Sequence, residues 1–243
     1  MCHNKSTIVV LILLGIFVRA TVSITAQPAK STGKECPPGV MSTTLDAPPD
    51  GMANFTTIRL DDNCRPILGP VRTVPLELLP EIALDIEDRR EIVDGLDSEE
   101  RMSGTRIKRV FRAEQAVLDR VNITLNKLYG KVNFKYDGYR ILKFKASGGS
   151  FAHQENYPLS CASGWYLGHH FNAQVGGGVG SSSASFAQYG EFGYQGFFDC
   201  TGTAYYNKLG NHMTVYGNGS ATCQFTQHYR TWSVLWYWTM ACY

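Results

Sequence analysis

The residues that could carry acid–base chemistry in this 243-residue chain lie toward its C-terminal end. His169 and His170 are adjacent, and His228 lies further along. A glycoside hydrolase needs two carboxylates that face a common cleft. The carboxylates of residues 151–243 are Glu155, Glu191 and Asp199. A secreted hydrolase of unrecognised type, in which one of these histidines works with Glu191 or Asp199, is therefore one hypothesis for the function.

The motifs that specify a known chemistry are missing from the sequence. Gly-x-Ser-x-Gly, His-Glu-x-x-His, the P-loop and the dinucleotide-binding fingerprint do not occur. Metal binding is also not predicted, because there is no Cys-x-x-Cys and the thiols are far apart with no regular histidine partner. The sequence favours a non-catalytic protein without a metal or a cofactor.

Six of the seven cysteines follow the N-terminal apolar segment, and an even set in an exported chain is typical of disulfide bonds. They are Cys36, Cys64, Cys161, Cys200, Cys223 and Cys242. Their spacing favours a local Cys36–Cys64 pair, and the last four would then staple the C-terminal region. Six cysteines allow 15 connectivities, so the other pairings stay open.

All four tryptophans lie in residues 151–243, where glycine and serine fill the gaps between aromatic residues. In a strand over 231–242, Trp232, Trp236 and Trp238 would lie on one face. Burial in the core is one interpretation, because aromatic side chains dominate cores by area. The alternative is an aromatic platform that binds sugar rings, with Tyr194 as a further member. The aromatic residues that could join it are Tyr189, Phe192, Tyr205 and Tyr206.

Residues 1–26 are typical of a secretory signal peptide. Lys5 precedes an uncharged apolar run from Ile8 to Val18, and small residues follow. The run is shorter than the roughly 20 residues that a membrane span needs, so we expect cleavage, secretion and no stable span afterwards. Without Lys5 and Arg19 the chain has equal numbers of acidic and basic residues. Net neutrality gives no bulk electrostatic reason to bind nucleic acid, so carbohydrate or a cell-surface protein is the expected partner.

Charge and proline content divide the rest of the chain into three parts. Residues 27–75 contain Pro-Pro twice and predict an extended arm with one short strand, pinned by Cys36–Cys64. Residues 76–124 are charged, and their apolar spacing predicts one or two helices. The first pattern begins at Leu79, and the second covers about 105–121. Residues 125–243 predict a β domain.

The β domain is expected from alternation and turn signals. From Leu125 the apolar period becomes two, and Asp137-Gly138 is a strong hairpin signal. Several short predicted strands follow, which favours an antiparallel sandwich or small barrel. The predicted fold is therefore mainly β, disulfide-stapled, with one or two N-terminal α-helices.

Basic residues are concentrated between 101 and 145, whereas residues 77–100 are acidic. Solvated faces that partly neutralise each other explain this asymmetry, and a basic patch for an anionic partner is the alternative. Arg106-Ile-Lys-Arg109 also fits a convertase cleavage site, with an uncut polar helix face as the other interpretation.

A secreted binding protein for a glycan or cell-surface component is the preferred function. A secreted effector or toxin acting on membranes, with residues 176–185 as a mobile element, is a further alternative. If the host glycosylates, the candidate acceptors are Asn54, Asn122 and Asn218.

Overall fold

The computed structural model describes residues 35–79, 107–155, 163–195, 203–230 and 232–243. They belong to one unit, Gly33–Tyr243. Several predictions fall on residues outside these ranges: the signal peptide, the helix beginning near Leu79, the acidic stretch that follows it, Asp199, and any disulfide of Cys161 or Cys200.

Fifteen strands and one 3₁₀ turn, Leu76–Leu78, make up the regular structure of the described ranges. The strands are β1 (Glu35–Cys36), β2 (Gly39–Asp46), β3 (Met52–Leu60), β4 (Pro66–Leu68), β5 (Arg72–Pro75), β6 (Ile107–Leu118), β7 (Thr124–Tyr136), β8 (Ile141–Ala152), β9 (Gln154–Glu155), β10 (Ser163–Gly177), β11 (Ser183–Gln195), β12 (Thr203–Tyr216), β13 (Ala221–Tyr229), β14 (Trp232–Ser233) and β15 (Tyr237–Cys242).

Two antiparallel sheets contain most of these strands. The six-stranded sheet has the order β2-β13-β12-β11-β10-β9, and the seven-stranded sheet has the order β4-β3-β15-β6-β7-β8 with β5 also paired to β3. Strand β12 packs across β6 and β7, so the sheets lie face to face. The predicted antiparallel β-rich fold is confirmed.

The main core lies between the sheets and follows from alternation along the strands. Phe111, Val132 and Phe134 contribute from the seven-stranded sheet, and Leu209 and Phe225 contribute from the other. Since side chains on a strand point alternately to opposite faces, the intervening residues of each strand lie on its outer face. Where their side chains are exposed, these two outer faces are surfaces on which a partner can bind.

The helix predicted over about 105–121 is wrong, because Ile107–Leu118 forms strand β6. Strand β6 lies in the interior of its sheet, between β15 and β7. Every residue from Phe111 to Leu118 is buried. A strand buried on both faces places apolar residues on both and hides the period of two, so its spacing resembled that of a helix.

Two disulfides staple the described residues. The predicted pair Cys36–Cys64 is confirmed, and it links β1 to the turn after β3. Cys223 pairs with Cys242 and joins β13 of the six-stranded sheet to β15 of the seven-stranded sheet. The second bond therefore crosses the core from sheet to sheet.

The hairpin predicted at Asp137-Gly138 is confirmed. Strands β7 and β8 pair on either side of the turn. The Asp137 carboxylate accepts hydrogen bonds from the backbone N–H groups of Tyr139, at 3.0 Å, and Arg140, at 2.8 Å. Gly138 has a φ of +96°, which glycine adopts readily. Turn chemistry therefore sets the register of these two strands.

Buried amide side chains bridge the two sheets. Gln115 Nε2 donates to the Gly210 carbonyl and to Asn211 Oδ1, each at 2.8 Å. Gln227 Nε2 donates to Gln115 Oε1 at 2.9 Å, and Asn211 Nδ2 donates to the Leu128 carbonyl at 3.3 Å. Because a buried polar group is costly without a partner, these bonds fix how the sheets align.

Candidate functional site

Three rings stack against one another on the outer face of the six-stranded sheet. Phe171 on β10 and Tyr189 on β11 are cross-strand partners, with ring centroids 5.1 Å apart and planes inclined by 22°. The His169 ring stacks on Tyr189 at 5.5 Å. The Phe171 side chain is 41% exposed although it is large and apolar. This leaves aromatic surface open to solvent on a rigid sheet.

An ion pair lies beside the rings. Lys208 on β12 donates to Glu191 Oε1 at 3.0 Å, and its ammonium also lies 4.1 Å from the Tyr189 ring centroid. The hydrogen bond from Lys208 lowers the pKa of Glu191, and the same bond raises the pKa of Lys208. Burial, followed by the charge of Glu191, raises the pKa of Tyr206. Both members of the pair are therefore charged at neutral pH.

We call His169, Phe171, Tyr189, Glu191, Lys208 and Tyr206 the ring–ion cluster. Its members come from three adjacent strands, and their side chains share one face because they occupy directly opposed or next-but-one positions. An exposed ring bordered by a carboxylate, an ammonium and a phenol can contact an apolar surface and hydrogen-bond to hydroxyl groups. The cluster therefore has the chemistry of a binding surface for a polyhydroxylated ligand.

Replacing Lys208 with methionine is expected to raise the pKa of Glu191 toward 4.5, the ordinary glutamate value, because the hydrogen bond that lowers it is lost. In the unchanged protein the ion pair contributes its full stabilisation at pH values above 4.5, the ordinary glutamate pKa. This contribution is lost as the pH falls through the lower pKa that Glu191 has in the folded state. A carboxyl-detected NMR titration measures the change. Asp137 is the internal control, since the Arg140 and Tyr139 backbone N–H groups lower its pKa. A Glu191 midpoint unmoved in the variant would contradict the assignment.

The tryptophans of the predicted platform lie at one end of the core. Trp232 and Trp238 are fully buried and stack at 4.2 Å with planes inclined by 12°. Trp236 and Tyr194 are half-buried and complete the cluster with Trp165, which is buried. A ligand at this end would meet Trp236 and Tyr194 rather than the two buried rings, and ligand binding there stays a prediction.

The single strand predicted over 231–242 is wrong. It is two strands, β14 and β15, with a turn between them. The Ser233 carbonyl accepts from the Trp236 N–H at 3.1 Å, and its hydroxyl accepts from the Leu235 N–H at 3.2 Å. Among the other suggested platform residues, Phe192 is buried in the core. Tyr189 and Tyr206 belong to the ring–ion cluster, and Tyr205 packs on Trp236.

The structure brings together only part of the hypothetical hydrolase site. His169 is the cross-strand partner of Glu191, and His228 is the partner of Lys208. His170 occupies the other face of β10, where burial and then the charge of His169 lower its pKa. Since Lys208 holds Glu191 ionised, Glu191 is poorly suited to act as a general acid.

The glycine–serine segment 176–185 forms the end of a hairpin. Strand β10 ends at Gly177 and β11 begins at Ser183. Ile141 donates its N–H to the Ser181 carbonyl at 2.8 Å, and Gly217 donates to Ser182 at 2.7 Å. These bonds anchor the segment that the membrane-toxin hypothesis treats as mobile.

The candidate glycosylation sites differ in environment. Asn54 lies within β3, where its amide donates to the Asp46 carbonyl at 2.8 Å and accepts from the Thr73 hydroxyl at 2.7 Å. Asn122 and Asn218 are exposed in turns. Of the three predicted glycosylation sites, Asn122 and Asn218 are therefore more accessible to a glycosylating enzyme than Asn54.

Arg109, the last residue of the possible convertase site, lies inside β6. Its guanidinium donates to the Gly219 carbonyl at 2.7 Å and the Pro48 carbonyl at 2.9 Å, and it pairs with Asp50. The polar helix face proposed for this stretch is wrong for Ile107, Lys108 and Arg109, since they form a strand. Cleavage after Arg109 would require this strand to open.

No group of three metal-ligating side chains converges within the described ranges. In that same part of the chain, no helix has the length and hydrophobicity needed to cross a membrane.

No protein-family model matches the chain, and the search of curated proteins finds no match. A solved structure, of a protein of unknown function from the DUF3598 family of Nostoc punctiforme, is a remote neighbour. Its identity to this chain is 10% with a TM-score of 0.15, and the alignment covers 78% of this chain and 66% of the other. The site must therefore be interpreted from its own residues.

Phe171 and Lys208 are the cluster members that sequence reasoning missed as ligand contacts. Lys208, like Tyr189 and Glu191 on β11, alternates with buried neighbours at a period of two, and that alternation could have placed it on an outer face. No such signal exists for Phe171, because the adjacent Asn172 is polar and also exposed. Their juxtaposition depends on the register of three long strands, which the sequence does not specify.

Proposed function

We propose that this protein is an extracellular, non-catalytic glycan-binding protein whose binding surface is the ring–ion cluster. The observation that carries the proposal is the exposed Phe171 ring stacked on Tyr189 beside the Glu191–Lys208 pair. Phe171 offers a flat apolar face for the C–H surface of a sugar ring. Glu191 accepts and Lys208 donates hydrogen bonds, which suits vicinal hydroxyl groups.

The two disulfides support the extracellular part of the proposal. Disulfide bonds persist in oxidising compartments and are rare in the cytosol, and this chain closes Cys36–Cys64 and Cys223–Cys242. The predicted signal peptide provides the route of export. The Glu191–Lys208 pair supports the non-catalytic part, because the lowered pKa of Glu191 disfavours this carboxyl group as a general acid.

Replacing Phe171 with alanine is expected to weaken binding of a neutral oligosaccharide by roughly two- to twelvefold, since an aromatic contact is worth about 0.5–1.5 kcal/mol. A screen on immobilised neutral glycans identifies the ligand, and titration calorimetry then measures the affinity. Tyr139→Ala is the matched control, because Tyr139 is an aromatic residue, 83% exposed, in the β7–β8 turn.

The proposal fails if the unchanged protein binds no neutral glycan, or if the two alanine variants bind as well as each other. If only the Trp236→Ala variant lost affinity for the glycan, the binding site would instead lie at the tryptophan cluster. Turnover of a glycan that survives Glu191→Gln would redirect attention to an unassigned catalytic site.

A further inference from the structure

Strands β6, β7 and β8 carry a concentration of lysine on the outer face of the seven-stranded sheet. Lys108, Lys135 and Lys143 are directly opposite one another on the three strands. The next row contains Val110, Asn133 and Lys145, and the one after it contains Arg112, Lys131 and Ser147. Since the intervening Phe111, Val132 and Phe134 face the core, these rows face away from it.

Within the part of the chain that the structure describes, this arrangement is electrostatically unfavourable. Like charges directly opposite on neighbouring strands destabilise a sheet, and here three lysines stand in one row. Among the described residues, no carboxylate forms an ion pair with Lys108, Lys135, Lys143 or Lys145. Lys108, Lys143 and Lys145 are exposed, and Lys135 is half-buried.

Protection of a sheet edge does not account for all of these lysines. Strand β8 ends the described seven-stranded sheet, so Lys143 and Lys145 could discourage edge-to-edge pairing. Strands β6 and β7 are interior strands with a neighbour on each side. Edge protection therefore does not account for Lys108 and Lys135, whereas an anionic partner would.

We infer that this face, defined by Lys108, Lys135, Lys143 and Lys145, binds an acidic polysaccharide bearing sulfate or carboxylate groups. Neighbouring strands are ~4.8 Å apart and alternate residues ~6.7 Å apart, so the backbone positions that carry these lysines form a rigid, closely spaced grid. Beside the grid is a groove of about 280 Å³, whose lining includes Lys131 and Ser147 together with Glu114, Tyr129 and Tyr243. Lysine provides point charges suited to such groups.

The composition of the face favours a polysaccharide over other polyanions. Single-stranded nucleic acid is usually held by aromatic side chains that stack on bases. The three rows contain none, and the aromatic residues next to them, Tyr129 and Tyr243, lie in the groove and not among the lysines. An exposed large apolar side chain that could enter a lipid surface is also lacking in them. This face is separate from the ring–ion cluster, which lies on the other sheet, so the inference does not rest on the proposed function.

The test uses the full chain and heparin as the probe. In the variant Lys108→Gln/Lys135→Gln/Lys143→Gln, affinity for heparin is expected to fall about tenfold or more at ~0.15 M ionic strength. The control, Arg65→Gln/Arg72→Gln/Arg120→Gln, removes the same charge from exposed residues elsewhere, and its affinity is expected to stay within about twofold. Heparin should raise the melting temperature of the unchanged protein and of the control but not of the lysine variant.

The lysine variant alone should also melt at a higher temperature than the unchanged protein, because the opposed charges are gone. Absence of heparin binding by the unchanged protein, or equal losses in the two triple variants, would overturn the inference. Tighter binding to single-stranded DNA or to phosphatidylserine vesicles than to heparin would also overturn it. Neutral-glycan binding by the ring–ion cluster is measured separately and can succeed or fail independently.

Discussion

Replacing Trp238 with alanine is expected to lower the free energy of unfolding by about 3–5 kcal/mol, the usual cost of removing a buried aromatic ring. Trp238 has no exposed surface, stacks on Trp232 and contacts Tyr229 at 5.5 Å between ring centroids. The cavity left behind cannot collapse easily, because its walls are other large rings and the strands that carry them. Urea unfolding followed by circular dichroism measures the change.

Two further variants calibrate this effect. Trp236→Ala is expected to cost less, since the Trp236 ring is half-buried at the rim of the same cluster and loses less transfer free energy. Tyr139→Ala, on an exposed turn, should change stability by less than about 0.5 kcal/mol. A Trp238→Ala cost below about 1 kcal/mol would contradict the packing described for this cluster.

Replacing both Cys223 and Cys242 with serine is expected to destabilise the protein by about 3 kcal/mol. The bond closes a loop with a sequence separation of 19, and restricting the unfolded chain over that length accounts for the estimate. Both cysteines are buried, and each sulfur lies near a backbone carbonyl, that of Arg112 for Cys223 and that of Leu45 for Cys242, so a serine hydroxyl would have an acceptor nearby. Denaturant unfolding of the double variant provides the measurement.

Peptide mapping without reduction is the companion experiment for this disulfide. A fragment linking Cys223 to Cys242 is expected, together with one linking Cys36 to Cys64. Detection of Cys223 joined to a different cysteine, or a stability loss under about 1 kcal/mol, would contradict the role of this bond as a staple between the sheets.

Much of the β architecture could be predicted because its signals are local. Alternation in Leu128, Val132 and Phe134 identified β7, and Asp137-Gly138 located its hairpin with β8. The short separation of Cys36 and Cys64 favoured their pairing. These features depend on residues close together in the chain, where geometry leaves few alternatives.

The errors arose where long-range packing overrides a local pattern. Strand β6 is buried on both faces by partners distant in sequence, so its apolar residues mimic helical spacing. Likewise, Lys108 and Lys143 lie in one row, on either side of Lys135 in β7, only because of the registers of these strands. Phe171 is opposite Tyr189 for the same reason. Both candidate binding surfaces could therefore be recognised only in the structure.

The position of β15 between β3 and β6 has a consequence for biosynthesis. The edges of β3 and β6 that β15 will pair stay open until residues 237–242 have been made. Residue 242 follows the end of β3 by 182 positions and the end of β6 by 124. At the usual rate of chain growth the two edges are open together for roughly 6–25 s. During that time both edges are available for wrong partners, so chaperone binding or delayed folding would protect the nascent chain.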